Sequence, residues 1–273
     1  MFNNKLNNLT IVIVSFKSEK VIFKTLSRIK KIKNILILDN SSNINLKKKV
    51  QKKYRNIIFH VSRKNLGYGA GNNFLLKKVK TQFALILNPD CFASVKDVIK
   101  VLNFMNKVKK KCAIIGSTKD SNNIISGKLL SYKFYRCMYV KGFFMLFDLN
   151  KIKKIGYFDG NFFMYLEEID LCKRVIDNGY EIYSLKGLKL KHLGGKSSSD
   201  RKQFLKLQNW HWMWSKFYFE KKHSGLIFSY LKYLPVLLIT AFKTIINPRN
   251  IKYKMRLKGL YYSMAGKKSD YRG

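Results

Sequence analysis

Asn88-Pro89-Asp90 closes the apolar run Phe83-Ala84-Leu85-Ile86-Leu87, and Glu167-Glu168-Ile169-Asp170 follows about eighty residues later. A carboxylate at the end of a strand can hold a divalent cation against a diphosphate. A later acidic pair can take the proton from an attacking hydroxyl. Sugar transfer from a nucleotide donor requires both. The chain has 15 Asp plus Glu, so three carboxylates within four positions are a concentration rather than filler. Each has a simpler reading as well: acids in a helix's first turn complement its dipole, and Asp90 could cap a helix starting near Val95. Residues 168 and 170 point about 200 degrees apart on an ideal helix, so one can face a cleft while the other fixes the turn.

The elements that must position these groups are legible as apolar runs of strand length: Leu9 to Val14, Ile35 to Leu38, Ile57 to Val61, Phe83 to Leu87 and Ala113 to Ile115. Stretches of helix length lie between them: Glu19 to Ile32, Leu46 to Tyr54, Gly71 to Lys80 and Val95 to Val108. This alternation predicts an α/β fold with a mostly parallel sheet covered on both faces, and ligands gathered at the strands' carboxyl ends. Polar residues collect there: Ser15-Phe16-Lys17-Ser18, Asp39-Asn40-Ser41-Ser42 and Asn88-Pro89-Asp90. As a set they predict a nucleotide cleft. Singly, Ser18 or Ser42 could cap a helix and Asp39 could shape a turn.

Asn65-Leu66-Gly67-Tyr68-Gly69-Ala70-Gly71-Asn72-Asn73 follows the third strand and opens a helix. Its glycines permit positive φ and close backbone approach, and a helix start offers free N–H groups to an anion. No Gly-Lys-Ser/Thr follows and the spacing is not GxGxxG, which removes the main support for NTPase and dinucleotide-dehydrogenase readings. After residue 116 the alternation breaks. Met138 to Phe147 reads as a strand interrupted at Lys141-Gly142, where a ligand could approach. An aromatic loop, Gly156 to Tyr165, then runs into a helix with apolar residues at 169, 172, 175 and 176, ended by Asn178-Gly179.

Of 273 residues, 47% are hydrophobic, enough for a sizeable core. Lys plus Arg number 55, a formal charge of +40. The lysines run through almost every segment beside abundant Asn, Ile, Phe and Tyr, all with AT-rich codons, which reads as compositional bias plus general attraction to polyanions. No RNP motif, zinc finger or helix-turn-helix signature accompanies the charge, so no nucleic-acid partner is expected. Cys91, Cys112, Cys137 and Cys172 show neither metal-ligand nor disulfide-framework spacing. Leu9 to Val14 is too short for a signal peptide, and the expected location is cytoplasmic.

Residues 201–273 form a basic, aromatic-rich extension with Trp210-His211-Trp212-Met213-Trp214 and the apolar stretch Leu226 to Ile246, interrupted by Lys232, Pro235 and Lys243. This predicts helices lying peripherally on an anionic membrane, with a true span or a packed helix pair as the other readings. His211 and His223 are not expected to be ligands.

The ordered series IVIVSF at 11–16, LDNSS at 38–42, NLGYGAGNN at 65–73, LNPD at 87–90, KGFFMLF at 141–147, GYFDGNFFMYLEEIDLCKR at 156–174 and KHLGGKSS at 191–198 resembles family 2 glycosyltransferases of GT-A fold, particularly their bacterial rhamnosyltransferase-like branch. The resemblance covers roughly residues 9–200. It implies a GT-A domain over 1–200, with a nucleotide-sugar half (1–116) and an acceptor half (117–200). It also implies an inverting transfer, dependent on Mg²⁺ or Mn²⁺, from a UDP- or dTDP-linked sugar to a glycan or a polyprenyl-diphosphate-linked acceptor.

By the same resemblance, Asp39 contacts the nucleobase beside Ser15, Phe16 and Asn40, and Asn65, Gly67, Gly71, Asn72 and Asn88 line the donor. Asp90 and His192 meet the metal. Glu168 is the base, with Glu167 and Asp170 beside it. The chain departs from the family where Phe16-Lys17 replaces a usual Tyr-Asn, where Glu-Glu replaces the commoner Glu-Asp, and where Leu75 replaces a frequent Gly. A catalytically inactive nucleotide-sugar binder and a basic nucleic-acid binder are the alternative classes.

Overall fold

The computed structural model describes residues 6–117, 123–125, 134–185, 190–193 and 201–272. The apolar runs become β1 (Leu9–Ser15), β2 (Asn34–Asp39), β3 (Ile57–Val61), β4 (Phe83–Leu87) and β5 (Cys112–Gly116), separated by α1 (Glu19–Ile29), α2 (Ile44–Lys53), α3 (Tyr68–Leu76) and α4 (Val95–Val108). Then come β6 (Phe134–Arg136), β7 (Phe144–Asp148), α5 (Leu149–Ile155), α6 (Glu167–Asp177) and β8 (Glu181–Leu185). Among the described residues all strands join one eight-stranded sheet of order β3-β2-β1-β4-β7-β5-β8-β6. β7 runs antiparallel between β4 and β5, and β6 antiparallel on β8; the other pairings are parallel.

The central strands are apolar on both faces, every residue of β4, β5 and antiparallel β7 being buried, as in a sheet covered by helices on both sides. One face packs Ile11, Ile13, Leu85 and Leu87 with Ile22, Leu26, Val98 and Leu102 from α1 and α4. The other packs Val12, Ile86, Met145 and Phe147 with Leu75, Leu171 and Val175. β1 is bonded to β2 on one side and β4 on the other, so the chain's winding reverses between β1 and β4, where open α/β sheets hold ligands.

Element boundaries differ from the sequence expectations where caps decide them. α2 starts at Ile44 because the Asn43 side chain accepts the Leu46 N–H at 2.8 Å. α3 starts three residues before the expected Gly71, since Gly67 at φ 84° supplies its N-cap. Ser94 and Asp97 form a reciprocal capping box on α4, so the cap before Val95 is Ser94 and Asp90 is left for another task. The strand expected from Met138 begins only at Phe144. Before it the backbone turns, with the Lys141 N–H on Ser117 O at 2.9 Å and the Tyr68 hydroxyl on Gly142 O.

The four cysteines are buried in this sheet domain, and burial raises each thiol pKa, to about 12 for Cys91 and Cys137.

Two compact units divide the chain: residues 1–158 with 168–197, and residues 159–167 with 198–273. The loop 159–167, placed by the sequence reading within residues 1–200, thus clusters with the C-terminal helices α7 (Arg201–Ser224), α8 (Leu226–Ile246) and α9 (Ile251–Met264). In that second unit α9 presses directly on α7: a Cβ at Gly259 would fall 2.1 Å from Trp210 O, so only glycine fits. His211 is buried with Nδ1 2.9 Å from Ser269 Oγ and Nε2 2.9 Å from Tyr271 O, and burial lowers its pKa to about 4. It is a packing residue. The loop is tied down by Ser215, whose hydroxyl donates to Met164 O at 2.9 Å, and by Asp159, which receives Tyr218 Oη at 3.0 Å and Lys222 Nζ at 2.7 Å.

Candidate active site

β4 delivers Asp90 by a tight turn: Asn88 N–H bonds Phe143 O and Cys91 N–H bonds Asn88 O, at 2.9 and 3.0 Å. His192 pairs with Cys91 as an isolated antiparallel bridge, and Leu193 N–H reaches Asp90 O at 3.3 Å. The bridge sets His192 Nε2 3.2 Å from Asp90 Oδ1. Phe143 stacks on the imidazole with centroids 4.4 Å apart and planes at 16°, which fixes the ring's orientation. One nearly buried carboxylate and one half-buried imidazole converge here although 102 residues separate them in sequence. Among the described residues no group of three His, Cys, Asp or Glu could by itself enclose a metal. The end of the last motif, Gly194 to Ser198, lies outside the described residues.

At the β1 and β2 ends, Ser15 and Asp39 are register partners, and both are fully buried. Asp39 holds its own turn: Oδ2 accepts Ser41 N–H at 3.0 Å and Asn43 N–H at 2.9 Å, and the Ser41 hydroxyl also lies within bonding range. The turn-shaping alternative is therefore realised. Ser18 occupies the N-cap position of α1, its carbonyl accepting the Ile22 N–H at 3.0 Å, but its hydroxyl goes to Phe16 O; Ser42 caps no helix, and its hydroxyl goes to Ser62 O. Phe16 presents an exposed ring beside this turn.

Asn40 links three segments, its N–H on Ser15 O at 2.7 Å and its Nδ2 on Gly67 O at 3.0 Å. Asn65 accepts Gly67 N–H at 3.0 Å and shapes the entry to α3. A Cβ at Gly71 would meet Val14 Cγ1 at 3.0 Å and Asn40 Nδ2 at 3.2 Å, so glycine lets α3 approach β1 and β2. Ser15 Oγ, Asn40 Oδ1 and Asn72 Oδ1 are buried without a hydrogen-bond partner, polar atoms that a folded core does not normally leave idle.

Gly142 allows a close approach as expected, but what approaches is the Tyr68 hydroxyl, 2.9 Å from a hypothetical Cβ. Sequence reasoning did not single out Tyr68. It also missed Asn73, which pairs with both the N–H and the carbonyl of Phe158 at 3.1 and 2.8 Å. Neither contact has a local signal, since 74 and 85 residues separate the partners.

The acidic cluster divides its labour. Asp170 is fully buried and receives Arg174 Nε at 2.9 Å, while the same guanidinium donates to Ile155 O, Gly156 O and Tyr157 O. Held in this way, Asp170 anchors the start of α6 to the turn that follows α5. Glu167 is buried at the helix start. Glu168 is partly exposed, and burial raises its carboxyl above the usual range, an effect reduced by its own backbone N–H and by the charge of Lys141. A raised carboxylate pKa suits a base working near neutrality. Just before the helix, Tyr165 and Leu166 take φ of 71° and 69°, a left-handed pair without glycine.

The mostly parallel sheet thus brings Asp90 and His192 to the end of β4 at the β1/β4 switch point, with antiparallel β7 inserted beside it and Glu168 in the first turn of α6. Residues 10–172 match the profile of Glycosyl transferase family 2, and the chain belongs to that family. It is similar to the low-salt glycan biosynthesis hexosyltransferase Agl10 of Haloferax volcanii, 27% identical over 203 residues; the match spans 62% of each chain, less than two thirds of that relative. The fold is similar to mannosyltransferase PcManGT of Pyrobaculum calidifontis, solved with GDP-Man and Mn²⁺ (TM-score 0.60, 9% identity, 95% of this chain and 88% of that one). It is also similar to S. aureus TarS residues 1–349, solved with UDP-GlcNAc (TM-score 0.53, 13% identity, 95% and 92%).

Proposed function

We propose that this glycosyltransferase moves a hexose, rhamnose among the candidates, from a UDP- or dTDP-linked donor to a glycan or polyprenyl-diphosphate-linked acceptor, with inversion, in cell-surface polysaccharide synthesis at the inner face of the cytoplasmic membrane. The observation that carries the reading is the apposition of Asp90 and His192, 3.2 Å apart at the end of β4. One carboxylate and one imidazole leave most coordination positions to diphosphate oxygens and water, the usual arrangement for a substrate-bound Mg²⁺ or Mn²⁺. Asp90 and His192 would hold that ion, which when bound neutralises charge on the departing diphosphate.

Glu168 takes the proton of the acceptor hydroxyl as its oxygen attacks the anomeric carbon. The glycosyl–phosphate bond breaks on the opposite side, and its electron pair leaves on the diphosphate. A positioned base of this kind contributes about 10² to 10⁴ in rate. Phe16 offers its exposed ring to the base, and Asp39 meets the imide N–H through the turn it shapes. Ser15, Asn40 and Asn72 direct their idle polar atoms toward donor or ordered water, and Asn65, Gly67, Gly71 and Asn88 build the backbone around it.

The deciding experiment is a thermal-shift panel of UDP-, dTDP- and GDP-sugars with Mn²⁺, followed by NMR of the first product formed from the stabilising donor. One nucleotide class should raise the melting temperature, and the product should have the opposite anomeric configuration. A retained configuration would overturn the direct-displacement mechanism, and a panel without any stabilising donor would overturn the donor reading.

A further inference from the structure

Among the described residues α8 is the one helix long and apolar enough to cross a bilayer, yet its two sides differ. Ser229, Tyr233 and Thr240 are buried, and Val236 and Leu237 partly so, with Tyr233 packed on Phe217 of α7 and Leu260 of α9. The opposite side carries Ile227, Leu231, Leu234, Leu238, Phe242 and Ile245, with exposures from 49% at Leu234 to 79% at Ile227. Their spacing puts all six within about 80° of one another on an ideal helix, in a stripe about 27 Å long. An apolar stripe of that length marks an interaction surface.

Lys232 and Lys243 fall together about 80–100° beyond the stripe's edge, past the exposed Phe228, Ile239 and Ile246 and next to the packed side, Lys232 also meeting Glu220 at 2.5 Å. The helical extension as a whole has sixteen Lys and Arg against Glu220 and Asp270. A second copy seated on the stripe would face one such cationic surface with another. A span would drag α7 and α9 inward, with Lys216, Lys221, Lys222, Lys252, Lys254 and Lys258, or strip them from the packed side. An anionic lipid surface suits both the apolar stripe and the charge around it.

We propose that α8 lies in the plane of an anionic bilayer, its six-residue stripe set into the acyl boundary and its packed side toward α7 and α9. The inference rests on the membrane location proposed above. Because it is tested by binding without donor or turnover, its failure leaves the transferase reading untouched.

The test is flotation of the full chain with phosphatidylcholine vesicles, with and without phosphatidylglycerol, at low and high salt. The chain should float with the anionic vesicles and release in part at high salt. L231S/L238S should lower the bound fraction at least about tenfold with helicity by circular dichroism unchanged. If that double variant unfolds, I227S alone, in the first turn, should still weaken binding severalfold. Unchanged flotation of the folded variants would overturn the proposal. So would carbonate-resistant insertion, the mark of a span, or concentration-dependent dimers that the same substitutions abolish in a chain that does not float.

Discussion

Arg174 Nε donates to Asp170 Oδ2 across 2.9 Å while the rest of its guanidinium gathers the carbonyls of Ile155, Gly156 and Tyr157. One arginine thereby joins α6 to the turn after α5. Removing the carboxylate strands the guanidinium, so Asp170→Ala should lose about 3–5 kcal/mol in urea unfolding. Asp170→Asn, which keeps the shape and an acceptor, should lose less. A variant of unchanged stability that had lost transfer would instead make Asp170 a chemical participant.

Glu168→Gln keeps size and removes basicity, so transfer should fall by at least about 10² with donor affinity unchanged. In the wild type, burial raises the Glu168 carboxyl, so the acid limb of kcat/KM should lie above the ordinary glutamate value of about 4.3. Lys141 lowers that pKa; Lys141→Met should therefore move the limb to still higher pH. A limb unmoved by Lys141→Met, or full activity in Glu168→Gln beside a crippled Glu167→Gln, would assign the base elsewhere.

Asp90→Ala should remain folded, since Ser94 and Asp97 cap α4 without it, while losing Mn²⁺-dependent binding of nucleoside diphosphate by thermal shift. His192→Gln should weaken the same metal-dependent increment less, as carboxylates are the stronger partners of hard cations. Equal binding with and without Mn²⁺ in all three proteins would contradict the pair's role.

Gly259→Ala tests the packing of the helical unit. With Trp210 O only 2.1 Å from the added Cβ, α7 and α9 must separate, at a cost of about 1–3 kcal/mol or more. The fall should appear in thermal unfolding followed by near-ultraviolet dichroism of Trp210 and its neighbours, and an unperturbed signal would mean the helices pack otherwise.

How far the sequence carried the argument varies by element. Strands β1 to β5 and helix α4 were legible because burial on both faces produces unbroken apolar runs and a full helical period, which are local signals. The insertion of β7 between β4 and β5 was not, since strand order is decided by long-range pairing such as Leu85 with Leu146. β8 was overlooked as well: Glu181-Ile182-Tyr183-Ser184-Leu185 is short and half polar, and joins the sheet through β5. In the site, Asp90 and Glu168 stood out by residue type at element ends. Tyr68 and Asn73 did not, because their partners are backbone groups 74 and 85 residues away, and the three carbonyls that Arg174 gathers beside Asp170 are likewise groups that no residue type advertises.

The four thiols have a practical consequence. Each is buried and disfavours its thiolate, Cys91 further so through the charge of Asp90, so none should react with alkylating reagents while the chain is folded. The protein should need no reductant on storage and should tolerate manganese in air. A single cysteine placed on its surface would then be the one addressable handle in an otherwise chemically silent background, ready to carry a spin label or fluorophore without first removing the native sulfurs.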